Sequence, residues 1–339
     1  MNPIFLRILE TPEELHSVEA LQRQIWPGNE TDVVPMHLLI TAAHNGGLVI
    51  GAYNDIETSE TMASDPKVNL VFEIDEFPRT QFAENSQLVG FVFGFLGIYE
   101  TPDGPRLKHC SHMMGVLPEY RDRGIGFSLK RAQWQMIRHQ GIDRITWTYD
   151  PLLSRNALLN ISRLGSVCSI YIREAYGEMK DELNIGLPSD RFQVDWWVNS
   201  LRVKRRLSKR PRKSLDLAHF LAADTSILNP SGINADGLPK PSEPLQLVNT
   251  WADVPDKTPD SLLLLEIPSD FMALKTLDPL LAREWRIHTR CLFEELFKSG
   301  YLVTDFVYLP GGSSPKNRGE MIKFPGRSFY VLSNGESTL

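Results

Sequence analysis

The sequence predicts an α/β protein: a mixed β-sheet flanked by helices, with a C-terminal β-α-β-β subdomain added to it. Three observations predict this. Segments with helical apolar spacing alternate with short strand-like runs along most of the chain. Residues 106 to 149 give a strand, a glycine-containing turn, a helix and a strand in succession, which is a β-α-β unit. The tail, residues 261 to 339, repeats the order strand, helix, strand, strand.

Taken in order, residues 5 to 9 read as a first strand, and Thr11-Pro12-Glu13-Glu14 opens a helix, with Thr as N-cap, Pro in the first turn and Glu at the third position. Leu15, Val18, Leu21, Ile25 and Trp26 form its apolar face. A second helix spans Met36 to His44 and stops at Gly46-Gly47, where a strand, Leu48 to Tyr53, begins. Residues 54 to 86 are acidic and irregular, with one strand at 68 to 74, and read as an insertion. Leu88 to Gly97 is apolar on both faces, as a central strand is. Pro118 ends the next strand, Arg106 to Val116. After the turn, Ile125, Leu129, Ala132 and Met136 fall on one helical face that Gly141 closes. Ile145 to Tyr149 is the following strand, Ser154 to Gly165 the following helix, and Arg191 to Val198 a strand that closes a first domain, 1–205.

Residues 202 to 213 are the most basic run; without interleaved aromatics they read as a solvated helix end, and 206–260 as a basic and loop-rich linker. In the 261–339 subdomain, Leu262 to Ile267 is a buried strand. Asp278-Pro279 caps a helix with Leu281, Trp285, His288, Leu292 and Leu296 on one face, and strands follow at Tyr301 to Leu309 and Ser328 to Leu332.

At 339 residues the chain has room for two domains, and its net charge of -6 argues against a nucleic-acid partner. No apolar run is long enough for a bilayer and the N-terminus is no secretory signal, so no membrane partner and a cytoplasmic location are expected. The three cysteines, Cys110, Cys168 and Cys291, are far apart and set among apolar residues, which reads as reduced, buried or half-buried thiols; no metal site is expected.

The stretch that carries chemistry is His112 to Gly126. A strand, a glycine turn and a helix N-terminus make an anion site, because the first amides of a helix have no internal acceptor. Gly124 and Gly126 let a diphosphate approach those amides, Arg121 and Arg123 add positive charge, and Asp122 and Ile125 complete the loop. A dinucleotide loop would need glycine where Leu129 stands, and the Gly-Lys-Ser/Thr ending of a Walker loop is missing.

The order Arg121-x-x-Gly124-x-Gly126, preceded by Val116-x-Pro118-x-Tyr120, resembles the acyl-CoA-binding motif of the GNAT superfamily of N-acetyltransferases. Asp150-Pro-Leu-x-Ser154-Arg-Asn156-Ala157 and Ser111-His-Met-x-Gly115-Val116 make the chain similar, over most of its length, to a bacterial and archaeal group of predicted acetyltransferases within it. The resemblance implies a GNAT-type splayed sheet, and acetyl-CoA or another acyl-CoA as co-substrate. It implies that Met114, Gly115 and Val116 bond the pantetheine arm as an added strand would. It also implies a helix starting near that arm, with Ser154 in the place of the usual Asn, Asn156 as its substitute, and Ala157 and Gly165 at the family spacing. The family's usual acid, a tyrosine, is replaced by Ile161.

The strand before the loop carries no acid between His109 and Gly115, so His112 is the expected general base; by alternation it shares a face with Cys110, Met114 and Val116. A hydrogen-bonded core histidine is the other reading. Asp150, at the carboxyl end of the neighbouring strand, is the second candidate, and Tyr149, Tyr171 and Tyr176 are all candidate acids. Arg283, Arg286 and Arg290 lie on one helical stripe; facing the cleft, Arg286 and Arg290 would bind an acceptor's carboxylate. The expected function is transfer of an acyl group, most simply acetyl, to the amine of a small molecule, with an amino acid as one acceptor class. Transfer of a bulkier acyl group such as succinyl to an amino acid, or a non-catalytic acyl-CoA-binding module, are the alternatives, and a homodimer is left open.

Overall fold

A computed structural model of the chain describes residues 4–28, 30–54, 86–177, 186–208, 214–242, 262–315 and 321–334. The expected strand at 68 to 74, and nearly all of the insertion around it, lies outside them. The chain forms two compact units, Met1–Trp147 with Trp197–Asn199, and Thr148–Trp196 with Ser200–Leu339. The expected 1–205 domain is therefore shared between the two, and the division falls inside the strand that follows the glycine-loop helix.

In the first unit the elements are β1 (Ile4–Ile8), α1 (Pro12–Ile25), α2 (Met36–His44), β2 (Leu48–Asn54), β3 (Gln87–Tyr99), β4 (Arg106–Val116), α3 (Ile125–His139) and β5 (Arg144–Tyr149). α1 starts where its residues demand. The Thr11 hydroxyl accepts from the Glu14 amide while the Glu14 carboxylate accepts from the Thr11 amide, a reciprocal cap of a kind worth about 1 kcal/mol. β1 to β4 pair antiparallel in sequence order, and β5 joins β4 parallel. The run from Val89 to Gly94 in β3 is buried throughout, which is why its sequence shows no alternation. α3 buries Ile125, Leu129, Ala132 and Ile137, and also Lys130 and Gln133.

The second unit holds α4 (Ser154–Ala157), continued as a wider π-helical segment to Arg163, then β6 (Val167–Ile172), β7 (Arg191–Trp197), α5 (Leu201–Arg206) and α6 (Leu217–Ala222). It continues with β8 (Ser226–Ile227), β9 (Gly232–Ile233), β10 (Pro239–Lys240), β11 (Leu262–Pro268), α7 (Phe271–Leu277) and α8 (Pro279–Lys298). It ends with β12 (Leu302–Leu309), β13 (Gly312–Pro315), β14 (Met321–Phe324) and β15 (Arg327–Ser333). Its strand order is β7-β6-β12-β15-β11-β8, antiparallel except for β8 on β11.

The tail is thus not a separate β-α-β-β piece: β6 and β7 belong to its sheet, and β12 pairs with β6 at Val303↔Cys168. The expected linker holds α6 and the short β8, β9 and β10, and β8 extends the sheet at β11. Two-residue strands carry no period for a sequence reading to find. The unit is held by an aromatic core in which the Phe192 and Phe293 rings lie 4.7 Å apart and those of Phe306 and Tyr330 4.9 Å apart. Tyr149, the last residue of β5, bonds the Tyr330 hydroxyl at 3.2 Å, which accounts for the end of β5 going with this unit. Cys168 is buried and Cys110 half-buried, but Cys291 is exposed on α8, against the expectation of three sheltered thiols. Among the described residues no helix is long and apolar enough to cross a membrane.

Candidate active site

β4 and α3 build the first part of the site within the first unit. β4 pairs with β5 only at His109↔Ile145 and Cys110↔Thr146, so from Ser111 onward its β5-side edge has no strand partner among the described residues. Its other edge stays on β3 as far as Gly90↔Val116. An unpaired edge leaves backbone groups free for a ligand that adds as a strand does. The pairing on β3 shifts between Phe93↔Met113 and Gly94↔Ser111, which makes His112 the extra residue of a β-bulge. Simple alternation therefore does not run through His112, and the face it was expected to share with Cys110, Met114 and Val116 does not follow. Its ring meets Phe93 edge-on at 6.0 Å and Phe95 at 5.8 Å, and desolvation there pushes its pKa below the ordinary 6.5.

The loop after β4 is pinned by Tyr120, whose hydroxyl accepts from Asn54 Nδ2 at 3.2 Å and donates to Gln87 Oε1 at 3.3 Å. Arg121 Nε donates to the Val116 carbonyl at 3.1 Å, and Arg123 donates to the Glu119 carbonyl at 2.9 Å while its guanidinium lies over the Tyr120 ring. Both arginines keep exposed heads at the loop. Gly124 is the N-cap of α3 with φ +78, a left-handed conformation that favours glycine, and a Cβ there would meet open space. No side chain caps the helix, and its first internal bond runs from the Ser128 amide to the Gly124 carbonyl. The amides of Ile125 and Gly126, ahead of that bond, have no acceptor inside the helix. The residues present fit a diphosphate: uncapped helix amides, a glycine without a Cβ in front of them, and two arginines.

Beneath the bulge lies a cluster that the sequence pattern does not single out. Lys130 is buried, and its ammonium donates to Ser111 Oγ at 2.7 Å and Gln133 Oε1 at 3.2 Å, with the Trp147 ring 3.8 Å away for its third N–H. Burial pushes its pKa down to about 7. Since Gln133 accepts with its oxygen, its nitrogen donates to His109 Nε2 at 3.1 Å, so the His109 proton sits on Nδ1, which is buried without a partner among the described residues. Burial first and Lys130 second push His109 down to about 3. Polar residues at helix-core spacing, Lys130 and Gln133, were the available signal.

The second unit holds the other expected site residues. Asp150 accepts two bonds from Arg286, at 2.8 and 2.5 Å, and one from the Leu152 amide at 2.8 Å. Arg286 is 1% exposed, and despite its desolvation Asp150 holds its pKa above the ordinary value. Asp190 accepts two bonds from Arg290, at 2.8 Å each, one from the Tyr171 hydroxyl at 2.7 Å and one from the Glu174 amide. Burial raises the Asp190 pKa, but Arg290 and Tyr171 outweigh that and hold it below the ordinary value. The arginines expected to bind a substrate carboxylate are thus spent on two internal carboxylates. Asp150 is a buried ion-pair partner rather than a free base, and Tyr171 gives its proton to Asp190.

Tyr149 is buried and bonded to Tyr330, whose own proton goes to the Pro151 carbonyl; Tyr176 is exposed, its hydroxyl 2.6 Å from that of Thr148. Ser154, at the head of α4, donates to the Pro268 carbonyl at 2.9 Å, and Asn156 is half-buried and Ala157 buried beside it. The expected cofactor residues therefore fall into two groups, 114–126 in the first unit and 154–157 in the second. Among the described residues no group of three or more His, Cys, Asp or Glu side chains is placed to hold a metal ion.

No protein-family model matches the chain, and no curated protein matches it. Solved structures do. The chain resembles the GNAT acetyltransferases. Arabidopsis thaliana NAA60 in complex with acetyl-CoA is 16% identical, with a TM-score of 0.40, over 58% of this chain and 99% of that one. A putative acetyltransferase of the GNAT family from Desulfovibrio desulfuricans is 12% identical, with a TM-score of 0.36, over 57% of this chain and 99% of that one. The ribosomal-protein-S18-alanine N-acetyltransferase from Escherichia coli is 10% identical, with a TM-score of 0.36, over 58% and 95%.

Proposed function

We propose that the chain is an acyl-CoA-dependent N-acyltransferase, most simply an acetyltransferase, acting on the amine of a small molecule. The observation that carries this is one continuous stretch: β4, with one edge unpaired past Cys110, leads through a pinned loop into the glycine-capped N-terminus of α3. The amides of Ile125 and Gly126, with Arg121 and Arg123, would hold the diphosphate, and the β5-side edge of β4 from Met114 to Val116 the pantetheine arm. When bound, the co-substrate supplies an activated acyl thioester.

The chain's own part is to hold that thioester against the β4 backbone, to exclude water with the apolar flank of the strand, and to take a proton from the acceptor ammonium. His112 suits the proton transfer, because its lowered pKa leaves it neutral, with a lone pair, at pH 7. Ile161 is buried, so the leaving thiol takes its proton from a group other than the family tyrosine. Arg286 and Arg290, paired with Asp150 and Asp190, lend no support to the amino-acid succinyltransferase alternative.

Gly124→Asn tests the loop. Asparagine tolerates the left-handed conformation, so the fold should survive, while its side chain stands in front of the helix amides. Calorimetric titration with acetyl-CoA should show binding by the parent chain and at least a tenfold loss in the variant, with melting temperatures within a few degrees. Equal affinities would overturn the assignment.

A further inference from the structure

The second unit contains a cavity of about 200 Å³ at the carboxyl end of β11, lined by Glu266, Pro268 and Ser269, by Ser231 before β9, and by Gly326 and Arg327 at the start of β15. Ile233 and Pro239 give it apolar wall. Glu266 is 2% exposed, and its carboxylate is saturated: Arg327 Nε and Nη2 donate at 2.7 Å each, the Ser231 hydroxyl at 2.9 Å and the Ser231 amide at 2.8 Å. Asn229, fully buried, brackets the Glu266 backbone, accepting from its amide at 2.8 Å and donating to its carbonyl at 2.9 Å. The Arg327 guanidinium rests on the Phe329 ring at 4.8 Å.

A guanidinium has two bidentate edges. Glu266 takes the Nε/Nη2 edge and leaves the Nη1/Nη2 edge, on a side chain that is 37% exposed and lines the cavity. Burying a carboxylate is costly unless every lone pair is met, and here the whole apparatus of Asn229, Ser231 and Glu266 fixes one cation at a cavity wall. What remains is a flat, singly charged fork, which matches a planar monoanion; one cation already shared with Glu266 is poorly suited to a dianion. At the roughly 30 Å³ a water takes in the liquid, the volume is that of about seven waters, the size of a small amino or hydroxy acid.

We propose that this cavity is a binding site for a small carboxylic acid, anchored end-on by Arg327. The cavity wall is tied to the head of α4, where Ser154 Oγ donates to the Pro268 carbonyl at 2.9 Å. The sequence signal for Arg327, a lone arginine after Pro325-Gly326, is one that no periodicity marks.

The test is calorimetry on the full chain with L-alanine, L-leucine and L-lactate, against L-alaninamide, L-leucinamide and inorganic phosphate, in the presence and absence of acetyl-CoA. At least one acid should bind, the amides and phosphate at least tenfold more weakly. Arg327→Met alone strands a buried carboxylate, so Glu266→Gln with Arg327→Met, which removes both charges, is the matched variant. It should lose acid binding at least tenfold and keep acetyl-CoA affinity. Acid binding that the double variant loses upholds the site whether or not acetyl-CoA binds, and a failure of acetyl-CoA to bind tells against the acyltransferase reading alone. No binding of any of the three acids, amide binding equal to that of the acids, or unchanged acid binding in the double variant overturns the proposal.

Discussion

Replacing Lys130 by methionine should flatten the rise in stability that the protein shows between neutral and mildly alkaline pH. Folded, the Lys130 amine titrates at about 7 because burial disfavours its charge; an unburied lysine titrates at 10.5. Between those values the unfolded chain keeps a proton that the folded chain has lost, so stability climbs as pH rises. Integrated from pH 7 to 8.5, this one group contributes about 1.6 kcal/mol, at roughly 1.4 kcal/mol for each pH unit of full difference. Cys168, Tyr149 and Tyr330, whose pKa values burial raises, act in the opposite direction; the thiol begins to do so from about pH 7.5 and takes back about 0.4 kcal/mol by pH 8.5, the tyrosines only above about pH 9. Lys130→Met keeps the apolar stem and removes the charge. It leaves Ser111 Oγ and Gln133 Oε1 without their donor, at about 1–3 kcal/mol for each acceptor, partly offset because no charge is desolvated. Urea midpoints followed by tryptophan fluorescence at pH 6, 7, 8 and 8.5 read the effect directly. Both midpoints should climb between pH 6 and 7, where the buried His109 and the partly buried His112 and His288 shed their unfolded-state protons, but from pH 7 to 8.5 the parent should climb clearly more than the variant, and parallel profiles over that interval would refute the reasoning.

Other outcomes follow from the same contacts. Gly94→Ala should cost about 1–3 kcal/mol or more in chemical denaturation, because a Cβ at Gly94 meets the His109 imidazole and, at 2.7 Å, the backbone oxygen of Cys110; a neutral substitution would mean the bulge is looser than described. Arg290→Met leaves Asp190 buried with its charge uncompensated and should destabilise by about 3–5 kcal/mol, the cost of breaking a buried pair, where a substrate-binding arginine would leave the melting temperature alone. His112→Gln should bind acetyl-CoA as the parent does yet turn over on the order of 10²-fold more slowly. In the parent the acid limb of the rate should fall through a pKa below 6.5, since a lowered value keeps the imidazole neutral to lower pH; an unchanged limb in the variant would make His112 structural.

Much of the fold can be read from local rules, because local rules decide those elements. The capping residues Thr11 and Glu14 place α1, and the predicted span of α2 coincides with the observed Met36–His44. Arg106–Val116 is legible whole because Pro118 ends it. Gly124 marks the helix start, and its conformation is that of a left-handed cap. What the sequence hides is non-local. His112 looks like an ordinary alternating residue because the bulge shows only in how β4 pairs with Phe93 and Gly94 of β3, not in β4's own sequence. Arg286 and Arg290 look like a free stripe because their partners, Asp150 and Asp190, stand 136 and 100 residues earlier. The joining of β6 and β7 to the tail's sheet is likewise a pairing across the chain that spacing cannot announce.

Amine-dependent release of free thiol from acetyl-CoA, followed with a chromogenic thiol reagent over a panel of small amines and amino acids, tests acyl transfer most directly. Release should depend on the added amine, saturate with it, and fall at least tenfold when Arg121 and Arg123 are both replaced by alanine, with the deficit growing as salt is lowered. Tight acetyl-CoA binding with no amine in the panel able to raise thiol release above the blank would contradict it, and would leave β4 and α3 as an acyl-CoA-binding module without catalysis.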